Sequence, residues 1–218
     1  DATGRKLLRF FESDSTATNM ALLKLWIERH GRPLALYTDW ASHFKQVRQA
    51  GAKASQTQIE RALSELGIGL IAAHSPQAKG RVERSHGTDQ DRLIKQLRLL
   101  GISSLEAANR FLEEVYLPRM NERFAQTPAS AADAHRPAAG YDLEAIFSVQ
   151  AERRVANDYT VQVDAVALQI ERGEITGGLR RGKVTIERRL DGSLRLRWGD
   201  RYLKYQRAQT VCKIKAET

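Results

Sequence analysis

The stretch Ser75-Pro76-Gln77-Ala78-Lys79-Gly80-Arg81-Val82-Glu83-Arg84 lies between a short apolar run and a long helical pattern. The apolar run, residues 68–73, predicts a buried strand, and the helical pattern continues to about Leu100. Glu83 is therefore expected in the first turns of a helix that leaves a sheet edge, among the cations Lys79, Arg81 and Arg84. A carboxylate in such surroundings is suited to holding a divalent metal beside a phosphate. The plainer interpretation is a solvated, charged helix face.

The overall charge favours a polyanionic partner. The 218 residues include 35 Lys and Arg against 26 Asp and Glu, a net charge of +9. Nucleic acid is the simplest partner, with an acidic membrane surface as the rival. No apolar run approaches the roughly 20 residues of a spanning helix, and the single Cys212 excludes an internal disulfide. We expect a cytoplasmic protein that binds nucleic acid.

A second acid follows a second apolar run. Residues 33–38 are too continuously apolar for a surface strand, which predicts a central strand buried on both faces. Asp39 then lies at its carboxyl end, where open α/β sheets bind ligands, although a turn-forming Asp is the alternative. The strand before Glu83 is a candidate neighbour of this one. Two carboxylates brought together in this way suit Mg²⁺ or Mn²⁺, and paired metals support in-line phosphoryl displacement.

The remaining pattern up to residue 126 is mainly helical. Residues 6–11 are a strand candidate, and a helix is predicted from the caps at residues 13–16 to His30-Gly31. Further helices are predicted at residues 57–66 and after Ser104, the latter interrupted or kinked by Pro118. On the long helix after Pro76, His86 is expected to pack on the apolar side.

The composition changes after residue 127. Residues 127–140 are rich in Ala, Pro and His and predict a linker, and period-two alternation follows from about residue 146. Six strand candidates predict a small β-barrel, and Asp191-Gly192 predicts a hairpin between two of them. The strand candidates are residues 153–155, 160–163, 166–170, 183–188, 193–198 and 201–205.

The β-region carries most of the excess positive charge. Residues 146–218 have 15 Lys and Arg against 9 Asp and Glu, a net of +6, whereas residues 1–145 have 20 against 17, a net of +3. Its arginines, with Trp198 and Tyr202, fit a surface that grips a phosphate backbone and stacks bases. We select Arg188, Arg189, Arg195 and Arg197 as DNA-binding residues. Solvated edge charges that prevent aggregation are the alternative.

Two motifs resemble the integrase core of bacterial insertion-sequence transposases. Residues 36–39 with Ser42-His43-Phe44 resemble its second-aspartate segment, and residues 75–84 resemble its third-acid segment in the placing of Pro76, Gly80 and Glu83. Residues 1–5 are similar to the turn between the second and third strands of that core. Residues 150–205 are similar to the SH3-like β-domain that follows it.

The resemblance implies an α/β protein with an RNase H-like core, its first strands missing, followed by a small all-β SH3-like barrel. The implied domains are a partial catalytic core at residues 1–127, a linker at 128–147 and a DNA-binding β-domain at 148–218. Asp39 and Glu83 would be catalytic metal ligands for Mg²⁺ or Mn²⁺, and Gln77, Lys79, Arg81 and Arg84 would contact DNA. Transposon ends and target DNA are the expected partners, bound by a homo-oligomer.

The first acid of the family's DDE triad has no counterpart in the matched segments. In the family it precedes the turn matched by residues 1–5 by about twenty residues, so the role is not assigned to Asp1. We therefore expect an N-terminally truncated transposase that does not itself transfer strands. Two alternatives remain open, a transposon-derived DNA-binding protein with an inactive core and an RNase H-type nuclease that hydrolyses without joining.

Overall fold

The computed structural model describes residues 3–38, 56–72 and 76–208. The chain divides into two compact units, Asp1–Phe147 and Ser148–Thr218. The first unit is mixed α/β and the second is almost entirely β. This agrees with the coarse prediction of an α/β core followed by a β-domain. Within the described residues, no helix is long and apolar enough to cross a membrane.

The first helix, α1 (Thr16–His30), has the ends that the sequence predicts. The Ser15 hydroxyl accepts a hydrogen bond from the Thr18 amide, and the Thr18 hydroxyl accepts one from the Ser15 amide, which forms a reciprocal capping box. The helix stops at Gly31, whose φ of 84° is the left-handed conformation that favours glycine. A Cβ at this position would lie 2.7 Å from the Arg136 carbonyl oxygen, so glycine is also required by space.

Two strands and a helix follow α1. Strand β1 (Ala35–Thr38) and strand β2 (Gly69–Ala72) form a parallel pair, and α2 (Gln58–Glu65) lies between them in the chain. The prediction that both strands are buried is wrong, because Tyr37 is 68% exposed and Ile71 is 41% exposed. These two residues are register partners and therefore share one face of the pair. That face is open to solvent in the described part of the chain.

The long helix α3 (Pro76–Leu99) confirms the helical pattern that follows the opening stretch. It is followed by α4 (Leu105–Phe111), a π-helical turn (Leu112–Tyr116) and α5 (Leu117–Phe124). Pro118 lacks an amide hydrogen and would clash with the carbonyl four residues earlier in a regular α-helix. The wider π turn just before it accommodates this, which confirms the predicted interruption. One core cluster joins α3 to these elements through Leu93, Leu97, Leu112, Tyr116 and Met120.

Residues 6–11 do not form the predicted strand. The backbone groups of Lys6 and Phe10 instead bond to two asparagine side chains. The Asn121 amide accepts from the Lys6 N–H at 3.0 Å and donates to its carbonyl at 3.1 Å, and Asn109 makes the same pair of bonds with Phe10 at 2.8 and 3.0 Å. Each amide thus takes the place of a neighbouring strand.

The second unit contains two antiparallel sheets, preceded in the chain by the short helix α6 (Leu143–Ile146) of the first unit. The strands are β3 (Val149–Arg154), β4 (Thr160–Val163), β5 (Val166–Ile170), β6 (Lys183–Arg188), β7 (Leu194–Trp198), β8 (Arg201–Leu203) and β9 (Tyr205–Arg207). The sheet orders are β3-β6-β7-β8 and β4-β5-β9. The predicted hairpin at Asp191-Gly192 connects β6 to β7 and is confirmed. Both sheets contribute to one apolar core, which includes Val161, Ile170, Val184 and Leu196.

Candidate functional site

The carboxyl ends of β1 and β2 lie at the same edge of the sheet. Their parallel register runs from Ala35 opposite Gly69 to Thr38 opposite Ala72, so the two strands finish side by side. The residue after Thr38 is Asp39, and α3 begins four residues after β2. This edge is where open α/β sheets place ligands. Asp39 itself lies outside the described residues, so its distance from Glu83 stays a prediction.

Glu83 lies on α3 about two turns after its first residue. Its side chain is exposed, and none of the side chains that the structure describes forms an ion pair with it. An exposed, unpaired carboxylate is compatible with a hard divalent cation. The predicted DNA contacts Gln77, Lys79, Arg81 and Arg84 belong to the same first turns of α3, with Lys79 one turn before Glu83.

A complete metal centre is not present among the residues that the structure describes. No group of three or more His, Cys, Asp or Glu side chains is positioned there to hold an ion. The predicted Mg²⁺ or Mn²⁺ site depends on Asp39, which lies outside those residues. The same helix corrects one expectation, because His86 is exposed and does not pack on the apolar side.

A buried polar cluster anchors α3 at Asp89, six residues after Glu83. The sequence patterns did not predict this cluster. Asp89, on α3, is only 6% exposed. It accepts hydrogen bonds from the Lys6 ammonium at 2.6 and 2.9 Å and from the Tyr116 hydroxyl at 2.8 Å. Burial, and then the bond to Asp89, raise the pKa of Tyr116 well above its usual value. The cluster ties α3 both to the segment before α1 and to the π turn.

The raised pKa of Tyr116 makes the stability of the first unit depend on pH. The unfolded chain ionises this phenol near its ordinary pKa of about 10, whereas the folded chain does so only at higher pH. The stabilisation that the protonated Tyr116 hydroxyl gives to the folded first unit is therefore complete below pH 10 and is lost as the pH rises further. We expect the free energy of unfolding to fall by up to about 1.4 kcal/mol per pH unit above that point. Denaturant unfolding between neutral and alkaline pH should show a shallower fall for Tyr116→Phe, and equal slopes would contradict this assignment.

The β-unit holds a second buried carboxylate. Glu187, on β6, has 0% exposure although it lies on the face of the four-stranded sheet opposite the core. It accepts hydrogen bonds from Arg197 Nε at 2.6 Å and from the Tyr202 hydroxyl at 3.0 Å, and Arg189 Nη2 lies 3.5 Å away. Burial and the bond to Glu187 raise the pKa of Tyr202. Arg189 and Arg197 thus neutralise a buried charge.

The other two predicted DNA-binding arginines differ in their surroundings. Arg188 forms an ion pair with Asp164 at 2.5 Å, and both side chains are more than half exposed. Arg195, on β7, is exposed and lies opposite Glu187 across the strand pair. Such an exposed arginine remains available for a phosphate. Of the four selected arginines, Arg188, Arg189 and Arg197 therefore have a carboxylate partner, and Arg195 is the exposed one that lies opposite Glu187.

Comparison with known proteins identifies the class to which the chain is related. It is homologous over more than nine-tenths of its length to bacterial transposases, which confirms the resemblance found in its motifs. It is 41% identical over 211 residues to the putative transposase y4bF of Sinorhizobium fredii (strain NBRC 101917 / NGR234), covering 94% of this chain and 46% of that protein. It is 30% identical over 206 residues to the transposase for insertion sequence IS1202 of Streptococcus pneumoniae, covering 92% and 44% respectively.

The chain therefore spans less than half the length of each of these curated relatives. No family model matches it.

Proposed function

We propose that this chain is part of a DNA transposase that cuts and joins DNA ends by two-metal phosphoryl transfer. The observation that carries the proposal is the in-register parallel pair β1 and β2, which leads into Asp39 from one strand and into the Glu83 helix from the next. Homology to two proteins named as transposases supports a role in transposition. The RNase H-like character of the core and the SH3-like character of the β-unit belong to this proposal.

In this mechanism Asp39 and Glu83 would hold the ions, because carboxylate oxygens are the ligands that Mg²⁺ and Mn²⁺ prefer. Bound there, such ions would supply the Lewis acidity that attack by a hydroxyl and departure of the leaving oxygen require. Lys79, Arg81 and Arg84 orient the phosphates of the DNA end, and Gln77 contacts a base or sugar. The basic β-unit adds contacts to the phosphate backbone. Assembly on DNA as a homo-oligomer would bring two ends together.

The first acid of the triad is not among the matched residues, so we propose that this chain alone binds metal and DNA without transferring strands. Joining of labelled DNA ends in the presence of Mn²⁺, abolished by Asp39→Ala, would overturn that proposal. Hydrolysis without joining would favour the nuclease alternative, and DNA binding without any metal affinity would favour the inactive binding protein.

The test of the metal site is Mn²⁺ binding by the 218-residue chain, followed by water-proton relaxation or calorimetry. We expect Asp39→Asn and Glu83→Gln each to weaken binding by about tenfold or more, since each removes one charged ligand of a hard cation. Asp91→Asn is the matched control. Asp91 is another exposed carboxylate of α3, it pairs with Lys95, and its loss should leave Mn²⁺ affinity unchanged. Equal effects of Glu83→Gln and Asp91→Asn would contradict the site.

A further inference from the structure

Five cations meet at one end of the four-stranded sheet in the β-unit. Arg154, the last residue of β3, pairs with Lys183, the first residue of β6. The loop that enters β6 is held to the end of β3, because the Val155 amide donates to the Gly182 carbonyl at 2.9 Å and the Arg181 amide donates to the Val155 carbonyl at 3.1 Å. The cluster consists of Arg153, Arg154, Arg180, Arg181 and Lys183, all of them exposed.

Two carboxylates lie on or next to the segments that carry these cations, Glu152 on β3 and Asp158 in the turn after β3, and both have partners. Glu152 forms an ion pair with Lys183 at 2.8 Å. Asp158 accepts hydrogen bonds from the amide and hydroxyl of Thr160 at 3.1 and 2.7 Å. The five cations therefore exceed the neighbouring carboxylates by three charges, and no ion pair with a carboxylate is found for the four arginines within the described residues.

Arg180 and Arg181 are oriented by a common anchor, Asn157. Arg180 Nε donates to the Asn157 carbonyl at 3.0 Å, and Arg181 Nε donates to the Asn157 side-chain oxygen at 2.9 Å. The Arg180 guanidinium also lies 5.9 Å from the centre of the Tyr159 ring. Among the described residues, the terminal nitrogens of both guanidinium groups have no hydrogen-bond partner.

The backbone explains how two consecutive side chains reach one residue. In an extended chain, neighbouring side chains point to opposite sides. Arg181 has a φ of 59°, in the left-handed region that non-glycine residues rarely occupy. This conformation lets Arg181 converge with Arg180 on Asn157. Unfavourable backbone conformations of this kind are often found at ligand-binding segments.

The cluster differs from the arginines at the other end of β6. Arg188 pairs with Asp164, and Arg189 and Arg197 neutralise the buried Glu187. Strand β6 separates the two groups by about 17 Å, at about 3.3 Å per residue. Of the arginines at the two ends of β6, those around the loop of residues 177–182 are therefore the ones whose terminal donors remain available to a ligand.

We propose that Arg180 and Arg181 form a preorganised fork that binds backbone phosphates of double-stranded DNA. The inference rests on the proposed function in taking DNA as the partner. A guanidinium presents paired donors that match phosphate oxygens, and anchoring through Nε reduces the ordering cost of binding. An anionic membrane fits less well, because surface-binding segments usually insert apolar side chains, and the loop's one large apolar side chain, Leu179, has 0% exposure.

The test is fluorescence anisotropy of the 218-residue chain with a short labelled duplex of arbitrary sequence, titrated at several salt concentrations. We expect Arg180→Gln with Arg181→Gln to weaken binding by about tenfold or more at low salt and to reduce the salt slope by about two. The matched control is Arg172→Gln with Arg207→Gln, which removes the same charge from two other exposed positions of the β-unit. This control should change affinity by less than about twofold.

Two further variants separate orientation and folding from charge. Asn157→Ala keeps every charge but removes the Arg181 anchor, so we expect about threefold weaker binding with an unchanged salt slope. Arg181→Gly suits the left-handed backbone, so its melting temperature should not fall, and its affinity should drop by about threefold.

The outcomes distinguish this inference from the function on which it rests. If the chain binds no duplex at any salt concentration, the proposed function loses its DNA partner and the fork fails with it. If the chain binds duplex but the fork and control variants are equally affected, only the fork is overturned. Equal affinity for phosphatidylserine vesicles and duplex, with the same losses in the fork variant, would overturn it in favour of a lipid surface.

Discussion

Asp89→Ala should lower the free energy of unfolding of the first unit by about 3 kcal/mol. Asp89 is 6% exposed and is the acceptor for both the Lys6 ammonium and the Tyr116 hydroxyl. Alanine would leave an ammonium and a phenol hydroxyl without their common acceptor, and unsatisfied buried groups carry a full desolvation cost. Loss of the cluster would also release α3 from the segment before α1, and α3 is the helix that carries Glu83.

The measurement is urea unfolding followed by peptide-resolved hydrogen exchange, because a chain of two units need not unfold in one step. Peptides from α3 report on the first unit. Asp91→Ala is the control on the same helix. Its carboxylate is 63% exposed and pairs with Lys95 one turn away, so its loss should change stability by less than about 0.5 kcal/mol. If Asp89→Ala is as mild as Asp91→Ala, the cluster does not anchor α3.

The sequence predicts best those features that depend on neighbouring residues. The helix α1 begins and ends at residues with local capping chemistry, Ser15 and Gly31, and its bounds agree with the prediction. The Asp191-Gly192 hairpin is equally local, because glycine supplies the positive φ of 81° that the turn needs. In both cases the determining interactions lie within a few residues along the chain.

Burial of a strand is less predictable, since it depends on what lies against each face. Residues 33–38 and 68–73 are apolar enough to be interpreted as buried strands, and they do pair. Yet Tyr37 and Ile71 are exposed on a common face. The apolar character of a run determines that it can be buried, but another element must cover it.

The predicted strand at residues 6–11 is also wrong, because its partners depend on distant parts of the chain. The backbone groups of Lys6 and Phe10 find their partners in the side chains of Asn121 and Asn109, about a hundred residues later. A sequence pattern identifies an extended segment but not a side chain that takes the place of a strand.

The two acids of the candidate site, Asp39 and Glu83, stay predictions. They come from strand-end position and from the resemblance, and the first of these arguments needs strands that end side by side, as β1 and β2 do. The charge of the β-unit was also evident, but not which arginines are paired. In the alternating pattern of β6, Glu187 occupies a position that faces away from the core, which predicts exposure to solvent. Only the cross-strand register brings Arg197 and Tyr202 over it. Register is determined by the folded sheet as a whole.

Removing Arg197 should destabilise the β-unit more than removing Arg197 and Glu187 together. Arg197→Met leaves the Glu187 carboxylate at 0% exposure without its closest cation, which should cost about 3 kcal/mol. With Glu187→Leu added, the carboxylate is gone, and Arg189 can direct its guanidinium towards solvent along its aliphatic stem. We expect the double variant to recover about 2 kcal/mol of the loss, since replacing a buried ion pair by apolar side chains is often nearly neutral.

Hydrogen exchange of peptides from β6 and β7 measures this effect within the β-unit, and Lys183→Met provides the control. Lys183 forms its ion pair with Glu152 on the same sheet, but both side chains are about two-thirds exposed, so its loss should cost less than about 0.5 kcal/mol. The stability recovered in the double variant is the decisive quantity, because removing the Glu187 carboxylate relieves an unpaired buried charge but does not restore packing lost at Arg197. If the double variant is less stable than Arg197→Met alone, Glu187 is not an uncompensated charge in the single variant, and the assignment of Arg197 as its neutralising partner is overturned.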